Sequence, residues 1–579
     1  MKKTKPTLVV LLVLCVFNTL IAHEKLHITL EPHTQTSTDG LSTAKYAAPF
    51  TTYIYDDGWV GGIDPIGTIT SLDIIIVQSG DLVITANTIC AEVRIDAGAS
   101  LTVNTGVSLE VSVILMSSTS ISFSSFISNG TILGSPVVSY DRFTEELGTN
   151  DLISSPVTST EIFVDFAVAN TLTLADNGFV RAFAPYNTVT GAYENYDVDL
   201  NLSTPITLGK GYRAATKISG GGFLRFTGTV ETGDVNGIAL SDAAAGCAWN
   251  LVGNPYPSYI DAASFLSENT SELDPSYIAI YGYDGDASDG WEVLNLSAIQ
   301  ASGDNELIAP GQGFFVKSKS GGGSVDFKAT MRRTGTSDDF VVGRSSTSPH
   351  YGHIKLNLSS GSSLYSTDFY FNSNASEGLD PGYDASIFGV SPPAFSIYSS
   401  LVVDNVEIPL AIQALSNTDM TNVVVPLGVN ASQGQELVFS IIESDMSDTT
   451  NMYLEDAVNN TVTLLNTSDY IFTPATDLSG TGRFFLRFET STLSTVDVDV
   501  ESVKIYANNA AKTITINGQL QNNTVAKLFD TNGRLVLTNV LNTNNTTQSI
   551  DVSQISSGVY ILELDNTTNE RRTEKLIIR

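Results

Sequence analysis

The sequence predicts an all-β protein of several domains. Short runs rich in Val, Ile, Thr, Phe and Tyr recur between clusters of Gly, Asn, Asp and Ser, as strands do between turns. Leu82–Thr85, Leu101–Val103, Lys355–Leu358, Phe369–Phe371 and Arg483–Phe488 are examples. Several alternate apolar with polar residues, the period of a half-buried strand. Helical patterns are few and short, with Ala262–Leu266 the candidate. At about 100–200 residues per domain, a chain of 579 residues predicts three to five domains, and 42% hydrophobic residues suffice for sizeable cores.

The first 22 residues read as a signal peptide. Lys2, Lys3 and Lys5 form a basic start, Leu8 to Ile21 is almost wholly apolar, and Ala22 precedes the polar His23-Glu24-Lys25. That stretch is too short and wrongly flanked for a spanning helix. No later stretch reaches the ~18 apolar residues such a helix needs, so no integral membrane segment is expected once the signal is removed.

Acids outnumber bases 62 to 29, a formal net charge of −33. Such a polyanion is repelled by nucleic acid and by anionic membrane, which removes both from the expected partners. Cysteine is scarce: Cys15 lies in the signal, and Cys90 and Cys247 are far apart in the chain. The fold is therefore not expected to rely on disulfides or on a Cys-built metal site, and each remaining Cys reads as a small buried hydrophobe.

Residues 23–135 carry a loose repeat of a Gly turn followed by an alternating strand: Ser79–Ile84, Ala97–Val103 and Thr105–Val111. Stacked rungs of a β-solenoid fit this pattern, with an ordinary sandwich as the alternative. Residues 136–340 contain duplicated β units. Asp151–Val157 aligns with Asn250–Tyr256, Gly209–Tyr212 with Gly311–Phe314, and Phe223–Phe226 with Ser324–Phe327, in the same order and at nearly one offset. Each unit should open with a strand ending at a Pro turn, and its Gly-x-Gly should admit close strand approach before an aromatic packs. No helix pattern follows the Gly-x-Gly, so it is not a nucleotide loop.

Residues 345–490 show regularly spaced strands and read as a jelly-roll-like β-sandwich. Residues 491–502 are a linker. At 503–579 the charge changes sign: residues 501–579 hold seven acids and eight bases. A charge break at a linker marks an independent module, here a small Ig-like sandwich with strands expected at Val503–Tyr506, Thr513–Ile516, Val525–Phe529, Leu535–Thr538, Ser549–Val552, Val559–Leu564 and Glu574–Ile578.

This module carries a resemblance. Lys527-Leu528-Phe529-Asp530-Thr531-Asn532-Gly533-Arg534-Leu535-Val536, then Gly558-Val559-Tyr560-Ile561-Leu562-Glu563-Leu564, then Lys575-Leu576-Ile577-Ile578-Arg579 are similar to the C-terminal sorting domain (type A) of type IX secretion cargo in Bacteroidota. Asp530, Gly533, Arg534, Gly558, Tyr560 and Lys575 are the residues that match. Where that family often has a Pro-Asn-Pro turn, this chain has Ala507-Asn508-Asn509-Ala510. The resemblance implies inner-membrane passage by the signal, then outer-membrane export by the type IX machinery as partner, to the cell surface or the medium. Asp380–Ala385 and Tyr453–Asp456 in the sandwich, and Trp249–Pro257 and Ala309–Val316 in the duplicated region, also resemble β repeats of such cargo.

Chemistry is sparse. There is neither a Gly-x-Ser-x-Gly elbow nor a His-Glu-x-x-His, and catalytic residues are not assigned. His350 and His353 are three apart on an expected strand, face opposite sides and make a poor metal pair; they read as solvated surface. Asp380 and Asp384 are the best-marked carboxylate pair, more simply an Asp-Pro-Gly turn with Asp384 bonding nearby backbone. Asp284, Asp286 and Ser288 place alternating oxygens in a loop that could wrap a structural Ca²⁺, the one cofactor considered, although the loop departs from the EF-hand template. Trp59, following Tyr53 and Tyr55, and Trp291 are candidate platforms for a glycan ligand. The expectation is an exported non-catalytic β protein, adhesin-like or structural, with a secreted polysaccharide-binding or polysaccharide-degrading protein as the alternative.

Overall fold

The computed structural model describes residues 50–158, 161–243, 248–283, 291–303, 306–338, 352–403, 408–490, 503–518, 520, 524–531, 533–542, 545–565 and 571–579. The signal peptide, the Asp284–Ser288 loop, Cys247, His350 and the 491–502 linker lie outside them.

The first described region is a three-sided parallel solenoid. Strands β1 (Thr52–Asp56), β2 (Ile74–Ser79), β3 (Asp81–Ile84) and β4 (Thr88–Ile89) precede β5 (Glu92–Ile95), β6 (Ser100–Val103) and β7 (Ser108–Glu110). Then come β8 (Val113–Thr119), β9 (Ser122–Phe123), β10 (Ser125–Ser128), β11 (Thr131–Leu133) and β12 (Val137–Thr144). One side stacks β1-β2-β5-β8-β12, the second β3-β6-β10 and the third β4-β7-β11. Stacking in register gives apolar ladders: Ile75, Val93, Ile114 and Val138 on one side, Leu82, Leu101 and Phe126 on the next, all buried. Each such side chain contributes about 1.5–3 kcal/mol when fully buried.

One sequence expectation needs correction. Thr105–Val111 is not the next rung after Ala97–Val103. It is the third side of the same rung, since β7 pairs with β4 and β11 and not with β6. With three strands per rung, Gly turns fall between sides as well as between rungs, which is why the glycine spacing is uneven.

Strand β12 is both the last rung and the first strand of the duplicated region. Its other edge pairs antiparallel with Gly222–Gly228, so one sheet and one core run through both. The duplicated units repeat in hydrogen-bond detail. In the first, Asp151–Ser154 pairs antiparallel with Gly211–Ala214, Ser154 opposite Gly211. In the second, Trp249–Gly253 pairs with Gly313–Lys317, Gly253 opposite Gly313. Helix α1 (Phe163–Ala169) and helix α2 (Ala262–Asn269) occupy equivalent places. The residues after them do the same work. Asn170 Oδ1 accepts from Arg225 N at 2.7 Å while its Nδ2 donates to the Phe166 and Arg225 carbonyls. Asn269 Oδ1 accepts from Asp326 N at 2.8 Å while its Nδ2 donates to the Phe265 and Asp326 carbonyls. Each Asn thus ties a helix end to the backbone N–H and C=O of one strand residue.

The units also grip each other as an isologous dimer would. Ser154 N donates to Gly311 O at 2.7 Å, and the equivalent Gly253 N donates to Gly209 O at 3.0 Å. The Gly-x-Gly glycines permit this approach: a Cβ on Gly313 would lie 2.8 Å from Ile153 N and from Leu152 C.

The sandwich is one sheet of eleven strands, from Gly352–Ser360 to Thr481–Thr490. It folds over on itself, because strands far apart in the sheet meet in the core. Phe439 touches Phe484 (centroids 4.9 Å) and Phe371 touches Phe488 (4.9 Å). The C-terminal module has all seven expected strands in two sheets: Lys504–Asn508, Thr513–Asn517 and Thr547–Asp551 in one, and Val525–Asp530, Leu535–Val540, Gly558–Asp565 and Arg571–Ile578 in the other. Ile514, Ile516, Leu528, Leu562 and Leu576 fill the core between them.

Candidate functional site: the C-terminal module and its seat

All six motif residues lie on the four-stranded sheet or its turn. At the turn between Val525–Asp530 and Leu535–Val540, Gly533 N donates to Asp530 O (2.9 Å), Arg534 N to Asp530 Oδ1 (2.9 Å) and Asp530 N to Arg534 O (3.0 Å). Gly533 sits at φ +78°, where a side chain is strained, so glycine is favoured there. Arg534 Nε reaches Asp530 Oδ2 at 3.1 Å, but its side chain is 79% exposed; such a surface pair contributes at most about 1 kcal/mol. Gly558 opens the next strand beneath the ring of Tyr560, whose hydroxyl donates to Ser556 O at 2.7 Å. Lys575 is exposed opposite Ile561.

The other sheet rests on the sandwich. Glu455 and Asp456 are neighbours on strand Thr450–Asp456 and point to opposite faces. Asp456 points inward. It accepts from Arg483 Nε (2.9 Å) and Nη2 (2.7 Å), Tyr470 Oη (2.8 Å) and Asn459 Nδ2 (3.0 Å). Burial pushes its carboxyl up, but the guanidinium and these donors outweigh burial and hold it below the usual carboxylate range. Glu455 points to the module and is only 5% exposed. Its Oε1 accepts from Thr547 Oγ1 (2.6 Å) and its Oε2 from Asn517 Nδ2 (2.9 Å). Beside it Phe485 meets Tyr506 at 5.1 Å, Asn508 Nδ2 donates to Gly482 O (2.8 Å), and Lys504 Nζ lies 3.6 Å from Glu377. None of these contacts between module and sandwich was anticipated from sequence, because the partners are 21 to 127 residues apart with no shared pattern.

The other candidates fall elsewhere. Trp59 is half-buried at the first rungs, edge-on to Tyr55 (5.4 Å), and Trp291 opens strand Trp291–Leu294, which pairs with Ile280–Tyr283, and stacks on Phe388 at 4.0 Å. The structure does not bring them together. His353 is buried, not solvated: its Nε2 lies 2.7 Å from Asp368 Oδ1 and its ring stacks on Tyr370. The strand is covered on both faces, so the side opposite the core is not solvent. Asp384 does bond backbone: its Oδ2 accepts from Asp380 N and its Oδ1 from Ala414 N, both at 2.7 Å. Burial pushes its carboxyl up to about 7, against the two amides that lower it, with Asp380 adding repulsion. Its loop joins the duplicated region to the sandwich: Leu296 N donates to Gly382 O, Ser386 N to Ser276 O and Asn295 Nδ2 to Tyr383 O. A second buried group, Arg142 on β12, joins three elements. Its Nη1 meets Asp151 at 2.8 Å in the first unit, its Nη2 meets Gln312 at 3.1 Å in the second, and its guanidinium lies over Phe123. Among the described residues no group of three or more His, Cys, Asp and Glu is placed to hold a metal, and no helix is long and apolar enough to cross a membrane.

A hairpin closed by Asp530 and Gly533, the Tyr560 bond and the basic-ended last strand define a secretion signal built as a folded sandwich. Residues 504–579 match the secretion system C-terminal sorting domain, so the chain is cargo of type IX secretion, exported to the cell surface or the extracellular space. Residues 58–488, about three quarters of the chain, match the family described as Domain of unknown function (DUF8693), and the protein belongs to it. No curated protein matches the chain. Among solved structures, the chain is similar to the BSP domain of a biofilm associated protein (12% identity, 25% of this chain and 27% of that one, TM-score 0.14). It is also similar to dimeric latent PorU from Porphyromonas gingivalis (10% identity, 39% and 29%, TM-score 0.13). A third is a Ca²⁺-stabilised adhesin with which an Antarctic bacterium binds ice (10% identity, 74% and 98%, TM-score 0.10). The chain spans less than a third of the length of the first two, and at these scores none of the three bears on its activity.

Proposed function

We propose that the body of this exported protein is a non-catalytic extracellular scaffold of the adhesin type. The observation that carries this reading is the use made of buried ionisable groups. Arg142, Asp384 and Asp456 are the kind of residue that a reaction centre would employ. Here each is engaged by backbone amides or by a partner from another strand or module. Arg142 and Asp384 fix how neighbouring regions sit against one another and Asp456 braces the inside of the sandwich, which suits a body that presents surfaces at set spacing. The test is incubation of purified mature protein with bacterial cells, host cells and a polysaccharide panel. Saturable binding to a surface without release of new sugar ends is expected; glycan turnover would overturn the reading. A second reading, glycan binding, is favoured by the half-buried Tyr55–Trp59 pair at the first rungs. Loss of polysaccharide retention in Trp59→Ala would support it, and unchanged retention would end it.

A further inference from the structure

We infer that the sandwich carries a binding site for the sorting module, which holds the module independently of the covalent tether and leaves its signal-bearing sheet facing outward. The argument starts from strand Thr513–Asn517. In a free two-sheet sandwich, alternate residues of a strand face core and solvent. Ile514 and Ile516 do face the module's core. Yet Thr515 and Asn517, on the opposite face, are also buried, at 7% and 9% exposure. Asn517 is covered by Glu455 of the sandwich strand Thr450–Asp456, and Thr515 lies opposite Tyr506, the ring that packs on Phe485 of the sandwich strand Thr481–Thr490.

The seat is specific in shape and in polarity. Both Glu455 oxygens are taken by module donors, Thr547 on one and Asn517 on the other. Phe485, opposite Glu455 in the sheet register, packs on Tyr506. Gly482 leaves room for Asn508, whose amide would collide with any Cβ there. Such a polar seam with a single aromatic contact resembles a dissociable interface more than a continuous core.

The arrangement also sorts the module's two sheets by role. The seat takes the three-stranded sheet, whereas Asp530, Gly533, Arg534, Gly558, Tyr560 and Lys575 all belong to the four-stranded sheet or its turn. The body therefore grips the module by the sheet without motif residues. This inference does not depend on what the body binds outside the cell.

The test is made on the full chain, with a site for a sequence-specific protease inserted between residues 491 and 502. After cutting, the two pieces are expected to elute together on size exclusion. Asn517→Asp sets a carboxylate against Glu455, and like charges in a desolvated seam oppose binding; the pieces should separate, with affinity lowered about tenfold or more. Adding Glu455→Gln to Asn517→Asp should restore co-elution, because the glutamine amide can donate to the new carboxylate. Phe485→Ala tests the same seat from the body side, and its cut pieces should separate. Wild-type pieces that elute apart, or an Asn517→Asp protein that holds together as wild type does, would overturn the inference.

Discussion

Replacing Asp384 with Asn should reverse sign between acid and alkaline conditions. The carboxyl is fully buried and protonates at about 7, against a reference of 3.8. A raised acid binds its proton more tightly in the folded chain, so between those limits the folded state holds more protons than the unfolded one. Stability then falls as pH rises. A shift of about three units at 1.36 kcal/mol each amounts to roughly 4 kcal/mol by the time the group is ionised. Asn has nothing to ionise. Its Oδ1 can still accept from Ala414 N, but its amide faces Asp380 N–H and loses that bond, at a cost of about 1–2 kcal/mol. Asp384→Asn should therefore be less stable than the parent by about 1–2 kcal/mol near pH 3, below both limits, and more stable by about 2–3 kcal/mol near pH 8. A chain of several domains has no single unfolding free energy, so the readout should be local. Hydrogen exchange of the Leu296 and Ser386 amides, which cross this joint, corrected for intrinsic rates at each pH, serves that purpose. Equal protection in parent and variant at both pH values, or a change of one sign throughout, would refute the reasoning.

Other consequences follow from the same contacts. Arg142→Met removes the guanidinium from Asp151 at the meeting of three elements and should destabilise the duplicated region by about 3–5 kcal/mol, read by urea unfolding. Adding Asp151→Asn, the residue found at the equivalent Asn250, should recover part of that loss. Gly313→Ala would set a methyl 2.8 Å from the backbone of Ile153; a loss of about 1–3 kcal/mol is expected, with faster proteolysis between the two units. Burial, with Asp73 nearby, pushes the Cys90 thiol up to about 12, so a thiol-specific chromogenic reagent should leave it untouched in the native protein and modify it in denaturant.

Much of the fold is legible because it is local. The seven strands of the C-terminal module follow from alternation and turns, and each observed strand overlaps its expected range. The duplicated units are legible because their glycines and prolines sit where a backbone approach or a turn demands them. Asn170 and Asn269 were missed, though a signal existed: each begins an Asn-Thr pair at the same offset as the aligned strands. The solenoid's rung was misphased because a Gly turn looks alike whether it ends a side or a rung.

The sequence by itself determined the strand content, the duplication, the module boundary marked by a change of charge, and the route of export, since each is written in contiguous residues. The tertiary structure alone decided which surfaces are covered. Nothing in Thr-Ile-Thr-Ile-Asn says that its polar face is buried, or that Glu455 rather than Asp456 turns toward the module. A strand's alternation records that two faces differ; what lies against each face depends on residues brought together from distant parts of the chain.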